Sequence, residues 1–361
     1  MADPDRRIPV NVLTGFLGAG KTTVLNHVLR HPGAARTAVL INELGDVGVD
    51  HHLVEQVDEA LVVLDGGCVC CSVQGDLVAA LKRLFMQAFR KEIPPIDRVL
   101  LETTGLADPA PVVHTLMEEP FIADRYRCDG VVTAVDVTHA AGQLKEHREA
   151  LRQAAMADRL LLTKCDLAAA DDIAALQATL AALNPGARQI PVAHGAVTID
   201  DIFGGGLYTA TGKLPEVAAW LGEAEVRAAA SAAAPAWRKP GKPAPAGAVK
   251  HHGDGVESYV LRFDAPLPWW EFSDGLNLIL QAYSHRILRI KGVLDVRGDP
   301  LPRVIQCVQH SIYPAVSLPA WPDTPPFDDH CSRLVFIVRG LPSDEVARTL
   351  GEFTGLPVTV L

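Results

Sequence analysis

The chain has 361 residues, 48% of them hydrophobic, which suits a packed core, excludes global disorder and fits two domains by size. Its formal charge of −10 argues against non-specific nucleic-acid binding, which draws affinity from a basic surface. No run of about twenty apolar residues could span a membrane, the first residues lead into a strand pattern without a signal-peptide core, and three of the seven cysteines crowd together at 68, 70 and 71, unlike a secreted disulfide scaffold. A soluble, cytoplasmic protein with reduced thiols and no membrane or nucleic-acid partner is expected.

Residues 8–13 read as a short apolar strand and run into Gly15-Phe16-Leu17-Gly18-Ala19-Gly20-Lys21-Thr22-Thr23. This is G-x-x-x-x-G-K-[ST], a loop whose backbone N–H groups wrap the phosphates of a nucleotide. Gly15, Gly18, Ala19 and Gly20 would supply that backbone, since a side chain at the glycines would block close approach. Lys21 would reach the β- and γ-phosphates, and the Thr22 hydroxyl would ligate Mg²⁺. Apolar residues at 24, 25, 28 and 29 have helical spacing, so the loop sits between strand and helix, with the helix N-terminus facing the anion.

Residues 37–41 read as a second strand, emptying into Asn42-Glu43-Leu44-Gly45-Asp46 at the sheet end where ligands bind. Residues 61–65 read as a third, followed by Gly66-Gly67-Cys68-Val69-Cys70-Cys71 and a helix over 74–89. Three cysteines in four positions point to a soft-metal site, Zn²⁺ or Co²⁺, in which Cys68 and Cys70 share a face of an extended chain and Cys71 joins if the glycines bend it. Buried structural cysteines or a redox pair are the alternatives.

The strand 97–101 ends in Glu102-Thr103-Thr104-Gly105, where NTPases sense Mg²⁺ and the γ-phosphate. Glu102 would act through Mg²⁺-bound water, and the Gly105 N–H would face the γ-phosphate. Strands over 130–136 and 159–162 follow, the second emptying into Thr163-Lys164-Cys165-Asp166, close to the guanine-reading N-K-x-D. A carboxylate at Asp166 accepts from guanine N1–H and N2 amino groups and leaves adenine without a matching donor, so GTP is favoured. A helix over 171–183 and a strand over 189–192 lead to Ala193-His194-Gly195, placed to close over the base.

The fold expected is α/β: a P-loop NTPase domain with a mostly parallel sheet over 1–223, then an Ala/Pro-rich linker over 224–256. A small α+β domain over 257–361 follows, with strands near 257–264, 286–297, 303–309 and 332–339 and helices near 268–283 and 343–353. Trp269, Trp270 and Trp321 are expected in a core or interface, and nothing in this domain reads as an active site. His251-His252 in the linker reads as solvated.

TGFLGAGKTT, NELGDVG, GGCVCC, ETTGLADP and TKCD, in this order, resemble the CobW family of metal-handling P-loop GTPases. The resemblance runs the whole chain, including Arg289-Ile290-Lys291-Gly292 where the family carries R-x-K-G. It implies a cytoplasmic GTPase that binds Zn²⁺ or Co²⁺ and delivers it to a client metalloprotein or a cofactor pathway. By position, Gly20, Lys21, Thr22 and Thr23 match phosphate and Mg²⁺ ligands, and Lys164 and Asp166 match guanine contacts. Thr163 stands where the guanine motif has Asn. Cys68, Cys70 and Cys71 match the C-x-C-C metal motif, and Glu43 matches the acidic residue of N-E-x-G, a metal or Mg²⁺ ligand. The linker lacks the long histidine run common in the family, and NELGD replaces NEFGE.

The mechanism these readings imply is a GTP-gated metal carrier with slow intrinsic hydrolysis, since no water-positioning glutamine or transition-state arginine is identifiable. A regulatory GTPase with structural cysteines and a zinc buffer without turnover are the rivals. A nucleotide kinase fits less well. His114 is an outside candidate for a further metal ligand, and a second copy of the chain is a candidate partner.

Overall fold

The computed structural model describes residues 5–42, 61–64, 72–203, 221, 249–250, 256–322 and 325–361. The chain folds as two compact units, Met1–Ala174 with Gln189–Leu207, and Ala175–Arg188 with Tyr208–Leu361. The expected domain boundary at 223/224 lies outside the described residues.

The first unit alternates strands and helices: β1 (Ile8–Gly15), α1 (Lys21–Leu29), β2 (Thr37–Asn42), β3 (Leu61–Leu64), α2 (Ser72–Phe89), β4 (Arg98–Glu102), α3 (Ala110–Glu118) and α4 (Pro120–Ala123). It continues with β5 (Tyr126–Asp136), α5 (Ala140–Glu146), α6 (Arg148–Met156), β6 (Arg159–Thr163), α7 (Ala170–Leu183), β7 (Arg188–Pro191) and α8 (Ile199–Ile202). The seven strands form one sheet in the order β3-β2-β4-β1-β5-β6-β7, and the pairings from β3 through to β6 are parallel. Parallel strands are covered on both faces by their crossover helices, so they read as unbroken apolar runs. β1 lies between β4 and β5, and its carboxyl end therefore opens at the centre of the ligand-binding edge.

The 3.6-residue period of α1 puts Val24, Leu25 and Val28 on one stripe, and all three are buried against Leu13, Val39, Leu100 and Val132. Burying side chains of this size stabilises by roughly 1.5–3 kcal/mol each, which fixes the helix start under the glycine loop. β5 begins at Tyr126, four residues before the apolar run at 130 that marks it in sequence. Helices α4, α5 and α6 are not among the elements read from the sequence.

The second unit contains β8 (Val249–Lys250), β9 (Val256–Phe263), α9 (Trp269–Tyr283), β10 (Ile287–Leu294), β11 (Arg303–Val308), β12 (Ser311–Ile312), β13 (Val316–Ser317), β14 (Ser332–Arg339), α10 (Ser343–Thr354) and β15 (Thr359–Val360). Its strands pair antiparallel in the order β12-β11-β10-β14-β9-β15, with β13 on β11 and β8 on β9. One sheet face, with Tyr259, Leu261, Ile290, Leu334 and Phe336, meets Phe272, Leu276 and Ile279 of α9 and Val346 and Leu350 of α10. The other face carries Arg289, Lys291 and Arg333, all buried. There the Lys291 Nζ donates to Gly186 O at 3.0 Å, and the Ser258 hydroxyl lies 3.4 Å from Ala182 O. The second half of α7 and the turn after it thus pack as part of this unit. Trp269 lies against the core and Trp321 stacks on His330, but Trp270 is 77% exposed and so is not a core residue of this chain.

Candidate nucleotide-binding site

The phosphate loop leaves β1 at Gly15 and turns through Gly18, Ala19 and Gly20, with Ala19 N–H donating to Phe16 O at 3.1 Å. Gly20 caps α1 in the left-handed region, and no side chain caps the first turn, so that turn's N–H groups face the site. Lys21 is buried and folds back, its Nζ donating to Gly15 O at 3.0 Å and Phe16 O at 3.4 Å. These carbonyls hold the ammonium at the centre of the loop, where phosphate oxygens would take it over. Thr22 and Thr23 follow on the first turn of α1.

Glu102 closes β4 in register with Leu13 of β1 and is buried. Thr103 ties the next segment to β1, its N–H donating to Leu13 O at 2.9 Å and its hydroxyl to the Thr14 hydroxyl at 2.8 Å. At Gly105 a Cβ would lie 2.7 Å from Leu17 N, so only glycine lets this segment rest on the phosphate loop. Thr104 Oγ1 between them is buried with no hydrogen-bond partner. Such an orphaned hydroxyl fits a site whose remaining partner is a phosphate oxygen or bound water. Thr22 and Glu102 supply the oxygen donors that Mg²⁺ prefers, and the residues present fit that ion.

Helix α6 grips the same segment from behind, a feature with no signal in the sequence motifs. The wholly buried Gln153 donates through Nε2 to Gly105 O at 3.2 Å and Ala107 O at 2.9 Å. Arg152 pairs with Asp108 at 2.9 Å, and His147 at the start of α6 stacks on Phe16 of the phosphate loop.

At the other end of the site, Thr163 turns its hydroxyl back onto the loop, 2.8 Å from Ala19 O and 3.2 Å from Val135 O. The residue that replaces Asn therefore braces the phosphate loop against β5 and β6. Lys164 has a left-handed backbone, φ 60°, and its Nζ donates to Asp136 Oδ2 at 2.7 Å. Burial pushes the Asp136 carboxyl up, but hydrogen bonds from Lys164, Thr138 and His139 outweigh it and hold the group below the usual carboxylate range. Asp166 Oδ1 accepts from the His194 N–H at 3.3 Å, and the His194 ring lies 3.4 Å from Oδ2. Next to it a Cβ at Gly195 would come within 2.7 Å of Thr23 Cγ2, which brings the 193–195 turn against the start of α1.

The structure thus brings Gly15, Gly18, Ala19, Gly20, Lys21, Thr22, Thr23, Glu102, Gly105, Thr163, Lys164 and Asp166 onto the carboxyl-end edge of one sheet. Glu43, Cys68, Cys70 and Cys71 lie outside the described residues. His114 sits on α3, its Nδ1 3.4 Å from Glu118 Oε2. No helix among the described residues is long and apolar enough to cross a membrane.

Known proteins match this arrangement along the chain. The family profile described as CobW/HypB/UreG, nucleotide-binding domain, matches residues 9–191, and that of the cobalamin synthesis protein cobW C-terminal domain matches 256–354. The chain is 34% identical to the zinc chaperone YjiA of Escherichia coli, over 94% of this chain and 96% of that protein. It is 35% identical to zinc-regulated GTPase metalloprotein activator 1 of Schizosaccharomyces pombe, over 54% of this chain and 47% of that protein. The crystal structure of Zn(II)-bound YjiA GTPase from E. coli shares a TM-score of 0.66 at 29% identity, over 96% of this chain and 99% of that one.

Proposed function

The chain belongs to the CobW family, and from that premise we propose that it is a GTPase that carries zinc and transfers it to a client protein under the control of GTP. The observation that carries this reading is a phosphate-loop fold with the Asp166 carboxylate beside the 193–195 turn, in a chain that aligns end to end with a named zinc chaperone.

In this reading the loop N–H groups and Lys21 bind the phosphates, and Asp166 selects guanine by accepting from its N1–H and N2 amino groups. Mg²⁺, held through Thr22 and addressed by Glu102 through a bound water, would neutralise charge on the phosphates. Glu102 and Gly105 are the groups that distinguish GTP from GDP. Gln153 fixes the two carbonyls that flank this contact. Without an identified water-positioning glutamine or arginine finger, intrinsic hydrolysis is slow, and metal or client raises it.

Zinc is the cargo, taken by Cys68, Cys70 and Cys71 with Glu43 as a further ligand. Co²⁺ would suit the same thiolates. These ligands lie in sequence between β2 and β4, whose ends face the nucleotide, so metal and GTP bias the same segments. The partner is a metalloprotein or a cofactor-pathway protein, and the setting is the cytoplasm.

Zinc competition and GTP hydrolysis measured on one preparation test the reading. The wild type is expected to bind zinc and hydrolyse GTP, and Cys68→Ser/Cys70→Ser to lose zinc binding while retaining hydrolysis. Unchanged zinc affinity in the double variant would contradict it, and hydrolysis that ignores zinc would favour a regulatory GTPase with structural cysteines.

A further inference from the structure

We propose that Asp136 is the positioning residue of the base site: its carboxylate tethers the Lys164 ammonium so that the lysine stem lies as a fixed platform for the guanine ring. The inference rests on the GTP reading and concerns a residue outside the nucleotide motifs.

Asp136 is the last residue of β5 and stands in register with Thr163 of β6. Its side chain is only 3% exposed, so its charge must be fully partnered to be tolerated. Both oxygens are filled. Oδ1 accepts from the Thr138 N–H at 2.9 Å and its hydroxyl at 2.6 Å, and Oδ2 meets Lys164 Nζ at 2.7 Å and His139 Nδ1 at 3.0 Å. The turn after β5 wraps the acid, His139 N–H donating to Asp136 O at 3.1 Å.

The cation is arranged differently. Lys164 keeps 35% of its side chain exposed, although its head is fixed, and it adopts a left-handed backbone that costs a non-glycine residue about 1 kcal/mol or more. Strain of this kind persists where surrounding contacts over-determine the residue, and the Asp136 bond is such a contact. A tethered ammonium leaves a four-carbon stem as an apolar strip, which is the side a lysine offers to a flat ring. The strip lies two residues from Asp166, whose carboxylate reads the edge of the same ring. Asp136 touches no part of a nucleotide in this arrangement. Its effect runs through Lys164.

The test uses the full chain and three probes: GDP, ADP, and inorganic pyrophosphate, which engages the phosphate loop without a base. Asp136→Asn is expected to weaken GDP by about tenfold to a hundredfold, the worth of a charge-assisted hydrogen bond, and to leave pyrophosphate within about twofold. Lys164→Met, which keeps an apolar stem, is expected to lose a similar factor, and the double variant no more than either, as two members of one contact should behave. GDP affinity unchanged in Asp136→Asn would overturn the proposal, as would GDP and pyrophosphate falling together, the mark of a general folding role. Should Asp136→Asn not fold, unchanged GDP affinity in Lys164→Met would overturn it. A wild type that fails to prefer GDP over ADP would overturn the guanine reading itself, and with it this inference.

Discussion

Two carboxylate–cation pairs, one in each unit, have nearly the same contact distance and opposite burial. Asp136 meets Lys164 at 2.7 Å with the acid 3% exposed and the cation 35% exposed. Asp329 meets Arg333 at 2.6 Å with the cation 2% exposed and the acid 31% exposed. In the first pair a buried acid holds a cation out to the edge where ligands bind. In the second, a guanidinium sunk in the antiparallel sheet is sealed by an acid that reaches in from outside, aided by Arg262 at 3.3 Å. Contact distance does not tell the two pairs apart, but the direction of burial does.

The largest expected effect breaks the scaffold pair. Asp329→Asn leaves a buried guanidinium without its bidentate partner, and should cost about 3–5 kcal/mol, read as a drop in thermal stability with pyrophosphate binding intact. Hydrogen bonds from Arg333 hold the Asp329 carboxyl well below the usual carboxylate range. A depressed folded-state value means the stabilisation is present above the unfolded value near pH 4 and is lost as pH falls below it. Wild type should therefore lose stability on acidification below about pH 4 more steeply than Asp329→Asn. Parallel acid profiles would show that the pair contributes little.

A smaller effect tests the segment beside the site. Gln153→Leu removes the amide that holds Gly105 O and Ala107 O, and should slow GTP hydrolysis by about tenfold with GDP affinity nearly unchanged. An equal loss of GDP affinity would mean that Gln153 supports the whole pocket instead of the γ-phosphate segment. The smallest effect is at His194, whose exposed ring would compete with a bound base for Asp166. His194→Ala should tighten GDP by no more than about fivefold, the worth of an exposed ion pair. Weakening by more than tenfold would make the ring itself a base contact.

Most of the first unit was legible because its chemistry is local. A glycine loop between a strand and a helix, and a carboxylate at a strand end, declare themselves within ten residues, and β1, β4 and β6 lie where their apolar runs place them. The contacts that support the site were not legible. Gln153 looks like one more polar residue of a surface helix, yet it is wholly buried and bonds carbonyls 46 and 48 positions away. Asp136 reads as the end of a strand, and only the pairing of β5 with β6 brings it to Lys164. In the second unit, R-x-K-G reads only as a family match within a strand, because nothing local says that Lys291 reaches Gly186. Short β12, β13 and β15 carry too few residues for a period to show.

The central claim is that GTP gates zinc, and the most direct test is zinc affinity by chelator competition in Mg²⁺ with GDP and with a non-hydrolysable GTP analogue. The account predicts tighter zinc binding with the analogue, and zinc tightening the analogue over GDP by the same factor, since coupling between two sites is reciprocal. Equal zinc affinity in the two nucleotide states would contradict it and leave a zinc-binding protein whose nucleotide only supports the fold.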